Sequence, residues 1–136
     1  MLSVFMGRTC NGSKWREELK SIEGIDWFDP VVADWNEEAK RNELVHRFRD
    51  DVLLHVVTPK MLGVLPIAEV IDDSNKHPER VLFVVKDTDE DAIFDKDVRK
   101  SLKSVKRMVM DNNATVLEWE ELPTYFKNLR DECQEG

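Results

Sequence analysis

The chain has 136 residues and a formal net charge of −8, from 20 Lys and Arg against 28 Asp and Glu. That length suits one domain, residues 1–136, around a single core, and the acidic balance argues against a broad surface for nucleic-acid polymers or anionic membranes. No apolar run reaches the roughly 20 residues that span a bilayer, and no basic region precedes the first apolar segment, so neither a membrane span nor a secretory signal is expected.

The two cysteines, Cys10 and Cys133, lie far apart and have no metal-ligand spacing. With His46, His55 and His77 scattered, neither a metal site nor a bound cofactor is expected. Free thiols and a cytoplasmic setting follow as the default.

In chain order, Leu2 to Met6 predicts a first strand stopped by Gly7. The loop Gly7 to Ser13 leads into a helix capped by Asn11 or Ser13, with Trp15 and Leu19 facing the sheet and Gly24 closing it. Ile25 to Phe28 predicts a second strand, and Asp29-Pro30 turns the chain. After Val31 to Trp35, Asn36 caps a charged helix to about Arg49, whose thin apolar stripe of Leu44, Val45 and Phe48 places it at the surface.

The apolar run Val52 to Val57 predicts a buried parallel strand. Pro59 and Gly63 mark a loop, Pro66 suits a helix start, and a helix from about Leu65 to Lys76 turns Ile67, Val70, Ile71 and Ser74 to the sheet. Val81 to Val85 is a fourth strand, and the acid-rich Asp87 to Asp91 a solvated loop. Val98, Leu102, Val105 and Val109 stripe a long amphipathic helix. Ala114 to Leu117 is the fifth strand, and Leu122, Phe126, Leu129 and Cys133 stripe the last helix.

Five strands alternating with helices predict an α/β fold, a doubly wound parallel sheet in the order 2-1-3-4-5. In that order the loops after strands 1 and 3 diverge at the topological switch point, where ligands bind. Glu69, read as a first-turn helix residue, then lies at the edge of the cleft with its charge favoured by the helix dipole. The plainer alternative is an acid that only complements that dipole.

The first loop offers glycines, short polar side chains and Arg8 before a helix, a composition suited to phosphate or ribose hydroxyls. It lacks a Walker ending and the dinucleotide glycine spacing, and an ordinary capping turn explains it equally. Asp34 could accept bonds from sugar hydroxyls beside an apolar wall at Trp35; alternatively Asp34 caps a helix and Trp35 is core, as the other tryptophans should be. Asp72 and Asp73 point about 100° apart on a helix and do not converge on one ion; Asp72 pairs instead with Lys76.

Three segments together carry a resemblance: Phe5 to Ser13, Pro30 to Trp35, and Thr58-Pro59 with Gly63 to Lys76. They resemble a nucleoside 2-deoxyribosyltransferase-like family over about Met1 to Val85. The resemblance implies a flavodoxin-like sheet, homo-oligomers, and cleavage of an N-glycosidic bond by a helix-borne Glu that attacks the anomeric carbon. Glu69 in Ile67-Ala68-Glu69-Val70 matches that nucleophile, and Gly7 the glycine after strand 1. Gly63 stands where well-studied transferases carry an Asp that manages the base proton, and their tyrosine at the end of strand 1 is missing.

The expected function is cleavage of the N-glycosidic bond of a nucleoside or nucleotide, by deoxyribosyl transfer or hydrolysis. Glu69 is the expected catalytic residue. The candidate substrate-binding residues are Gly7, Thr9, Asn11, Gly12 and Ser13 in the first loop, Asp34 and Trp35 in the second, and Gly63 in the third. Two other functions stay open: a nucleotide-binding or sensing module with little catalysis, and an NAD-cleaving glycohydrolase.

Overall fold

The computed structural model describes residues 1–10, 12–32 and 34–135. Its elements run β1 (Leu2–Met6), α1 (Trp15–Lys20), β2 (Ile25–Phe28), α2 (Glu37–Arg49), β3 (Val52–Val57), α3 (Leu65–Lys76), β4 (Val81–Val85), β5 (Thr88–Asp89), β6 (Ala92–Ile93), α4 (Lys96–Asp111), β7 (Thr115–Val116) and α5 (Leu122–Glu135). Five strands form one parallel sheet in the order β2-β1-β3-β4-β7. With β7 as the fifth strand, this is the expected order of a doubly wound, flavodoxin-like sheet. No helix among the described residues is long and apolar enough to cross a membrane.

The period of two along each strand sorts side chains between two cores. Val4, Met6, Leu54, Val56, Leu82 and Val84 meet Trp15 and Leu19 of α1 and Leu122 and Phe126 of α5. On the other face Phe5, Leu53, Val57, Phe83 and Val85 meet Val70 of α3 and Leu102 and Val109 of α4. Phe83 and Phe126 are fully buried, each contributing roughly 1.5–3 kcal/mol by removal of apolar surface from water. Because His55 lies between Leu53 and Val57 on β3, the same alternation turns it towards α3.

Helix α2 is different, because none of its residues is fully buried. Asn36 caps it by accepting a bond from the Ala39 amide at 2.8 Å. Polar contacts hold its C-terminal half: Arg80 donates to the Arg47 carbonyl at 2.9 Å and the Asp50 carbonyl at 2.6 Å. The His46 ring also stacks on Phe28, with centroids 3.8 Å apart. Leu44, Val45 and Phe48 are exposed, as the thin stripe predicted.

Several local readings are corrected. Helix α1 starts only at Trp15 and, among the described residues, has no side-chain cap; the Ser13 hydroxyl donates instead to Asp89 at 2.5 Å. The acid-rich segment is not merely a solvated loop. It folds into the antiparallel β5–β6 hairpin with Glu90 at φ 55 in its turn, and Asp89 is buried beneath the hydroxyls of Ser13 and Thr58. Cys133 is exposed instead of extending the α5 stripe. Only Trp15 of the four tryptophans is fully buried, and Trp35 is 58% exposed.

Candidate active site

Where β1 and β3 end side by side, the chain opens a cavity of about 450 Å³ between the sheet, α2 and α3. Backbone pairing with β3 continues past the end of β1, with the Gly7 amide donating to the Leu54 carbonyl and the Val56 amide to the Arg8 carbonyl, each at 2.7 Å. That approach requires glycine at position 7, because a Cβ there would sit 2.9 Å from the Leu54 oxygen. Phe5, Pro30, Val31, Val32 and Trp35 form an apolar wall, and Arg8, Glu43, Arg47, His55 and Glu69 a polar end. An amphipathic small-molecule site has this division.

Glu69 is only 14% exposed and holds the centre of the polar end. Helix α3 begins at Leu65 and carries no acid in its first turn, so Glu69 lies one turn further in than expected. Two guanidinium groups, and not the helix dipole, oppose its charge. Arg47 Nη1 donates to Oε2 at 2.6 Å, and Arg8 Nε lies 3.2 Å from Oε1. The second contact is an ion pair without an aligned hydrogen bond, so the buried Oε1 keeps its lone pairs unengaged.

One turn along α3, Asp73 joins the same network. Arg47 Nη2 donates to Asp73 Oδ2 at 3.0 Å, so one guanidinium fork spans both carboxylates. His55 Nε2 meets the same oxygen at 3.0 Å. Burial acts to raise the pKa of Asp73, but the hydrogen bond and charge of His55, with the charge of Arg47, outweigh it and hold the carboxyl below its ordinary range. Burial likewise acts to lower the pKa of Arg47, and the charges of Asp73 and Glu69 overcome it, leaving the guanidinium more firmly protonated than usual. With Nε2 committed to Asp73, the other ring nitrogen of His55, Nδ1, is buried and has no hydrogen-bond partner among the described residues.

The structure brings only some of the expected residues together. Gly7, Trp35 and Glu69 line one cavity. Thr9 is buried, with its hydroxyl donating to the Val56 carbonyl at 3.2 Å and accepting from the Thr58 amide at 3.1 Å, so it ties the first loop to β3. Ser13 is bound to Asp89, and Gly12 is exposed at φ +70, away from the cavity lining. Asn11 lies outside the described residues. Asp34 is exposed and is not part of the lining, while Gly63 borders a separate groove between the β3–α3 loop and α4. The end of β1 and the first loop also turn the carbonyls of Met6, Gly7 and Thr9 towards the buried Arg16 guanidinium, so part of the loop's polarity serves an internal cation.

Arg47, His55 and Asp73 were not singled out from the sequence. A histidine inside the apolar run Val52 to Val57 is a signal in itself, because a buried polar ring needs a partner. Glu69 and Asp73 are four apart and share a helix face, a like-charge pair that calls for a cation. Nothing local identifies Arg47 as that cation, since it comes from a different helix. Among the described residues, no group of three or more His, Cys, Asp or Glu is placed to hold a metal ion. Comparison of the chain with family models, curated proteins and solved structures finds no match.

Proposed function

We propose that the protein cleaves the N-glycosidic bond of a deoxynucleoside or its 5′-phosphate, with Glu69 as nucleophile. The observation that carries this reading is the largely buried Glu69 carboxylate, one oxygen tied to Arg47 and the other unengaged, at the polar end of a cavity with an apolar wall. The base stacks against Trp35 and the Val31–Val32 wall, and the sugar lies towards Glu69. Oε1 attacks the anomeric carbon as the bond to the base nitrogen breaks, and its electron pair leaves with the base. The resulting glycosyl ester is then opened by water or by a second base, which restores the carboxylate. Arg8, at the half-exposed rim, offers a charged donor to a 5′-phosphate.

The test is incubation with common 2′-deoxynucleosides and their 5′-monophosphates, with and without a second free base. Release of base alone means hydrolysis, and exchange of bases means transfer. A glycosylated peptide containing Glu69 in the trapped wild type supports the nucleophile. No turnover, with Glu69→Ala binding the same compounds as the wild type, removes the reading. A second reading, a nucleotide-binding module with little chemistry, draws on the 2.6 Å bond from Arg47, which competes for the electrons of Glu69. It predicts saturable binding and thermal stabilisation without product. Free nicotinamide on incubation with NAD would instead favour a glycohydrolase.

The same reading includes a cytoplasmic homo-oligomer. Its support is the exposed apolar surface at Leu44, Val45 and Phe48 on α2 and at Leu62, Val64 and Leu65 entering α3.

A further inference from the structure

We infer that His55 is the acid that gives a proton to the departing base, an inference that rests on the glycosidic reading of the same cavity. A purine or pyrimidine leaves poorly as an anion, so the breaking C–N bond needs a proton donor at the base. The position that carries an Asp for this task in the family the sequence resembles is Gly63 here, and it lies on a different groove. Within the cavity, His55 is 3% exposed, yet it belongs to the lining. Its Nδ1 has no hydrogen-bond partner among the described residues. A buried ring nitrogen left without a bond is costly unless something outside the chain meets it.

The rest of the network suits that role. Nε2 is fixed on Asp73 Oδ2 at 3.0 Å, which orients the ring. Arg47 holds Asp73 and Glu69 on one rigid fork, so donor and nucleophile keep a fixed relation. In the first step the Nδ1 proton passes to a base nitrogen as the C–N bond breaks and the bond from Glu69 Oε1 to the anomeric carbon forms. His55 is then neutral. In the second step it takes a proton from the attacking water or the incoming base, and the ester bond to Glu69 breaks. The charged and titratable groups around His55 are Asp73 and Glu69 from α3, Arg47 and Glu43 from α2, and Arg8 and Cys10 from the loop after β1.

The experiment compares two leaving groups. Hypoxanthine leaves 2′-deoxyinosine with a proton, whereas nicotinamide leaves its 2′-deoxyriboside as a neutral pyridine without one. In single-turnover release of the base, His55→Gln should lose roughly 10²- to 10⁴-fold with 2′-deoxyinosine and only a few-fold with the nicotinamide substrate. Equal losses on both substrates, or none, overturn the assignment. Glu69→Gln should lose both substrates; if it retains both, the glycosidic reading itself fails, a pattern distinct from failure at His55. Should His55→Gln not fold, the imidazole ¹⁵N spectrum of the wild type decides. Saturation with hypoxanthine should shift the Nδ1 resonance, and an unmoved Nδ1, or no binding of the base, overturns the proposal.

Discussion

At Glu69 the proposed reaction asks one carboxylate to be both an ion-pair partner and a nucleophile, and its two oxygens differ in their surroundings. Oε2 takes the bond from Arg47, and Oε1 faces Arg8 without an aligned bond. Glu69→Gln preserves the size of the side chain and removes the anion. If Glu69 is the proposed nucleophile, turnover should fall by several orders of magnitude, because a single group would carry the covalent step. The folded state should survive, since Arg47 keeps Asp73 as a partner; circular dichroism and single-turnover kinetics on the same preparation check both halves.

Asp73 makes a separate prediction about pH. Its carboxyl is held below the ordinary 3.8 in the folded chain, so the unfolded chain binds more protons in that range. The stability it contributes is fully present above about pH 4 and is lost as pH falls through the lowered value. Asp50 works in the opposite sense, because burial raises its pKa and its contribution weakens as pH rises just above 3.8. Urea unfolding followed from about pH 5 down to about pH 2 should therefore show a steeper acid loss in the wild type than in Asp73→Asn. Parallel curves would contradict the His55–Asp73–Arg47 coupling.

Among the elements, α2 is the weak wall of the site. It buries none of its residues fully and is held by Arg47, Arg80 and the stacked His46. Local opening costs least where few apolar contacts must be broken. Hydrogen exchange in α2 should accordingly be faster than in α3 or β3, and a ligand that engages the polar end should protect α2 most. Uniform protection of all three elements would refute this.

The same contrast explains what the sequence disclosed. The first four strands were readable to the residue, because Val52 to Val57 and Val81 to Val85 are nearly pure apolar runs bounded by turns. Their order followed from alternation with helices, and the switch point placed Glu69 at the cleft. The network around it was not readable, because Arg47 approaches from 22 residues upstream in sequence through a helix with almost no apolar face. The roles of Thr9 and Ser13 were also hidden. Each looked like a ligand group in a polar loop, but β3 and the small hairpin claim their hydroxyls.

For the molecule as a whole, the two cores bury the sheet on both faces, yet a helix facing water keeps Phe48 at 84% exposure. With Leu44 and Val45 beside it, this ring is the contact that the proposed homo-oligomer would use on α2. Phe48→Glu should leave unfolding stability within about 0.5 kcal/mol, as is usual for a surface site, and shift the protein to a smaller species in light scattering. Unchanged mass would exclude α2 as the contact of the proposed oligomer.

Trp35 also gives the molecule its own optical reporter. Trp15 is buried and Trp27 and Trp119 are packed against the core, whereas the Trp35 indole stands open to water on the cavity wall. Iodide should quench its red-shifted emission selectively, and any occupant of the cavity should shield that one component. The affinity of unlabelled compounds can then be read from wild-type fluorescence, with Trp35→Phe as the blank.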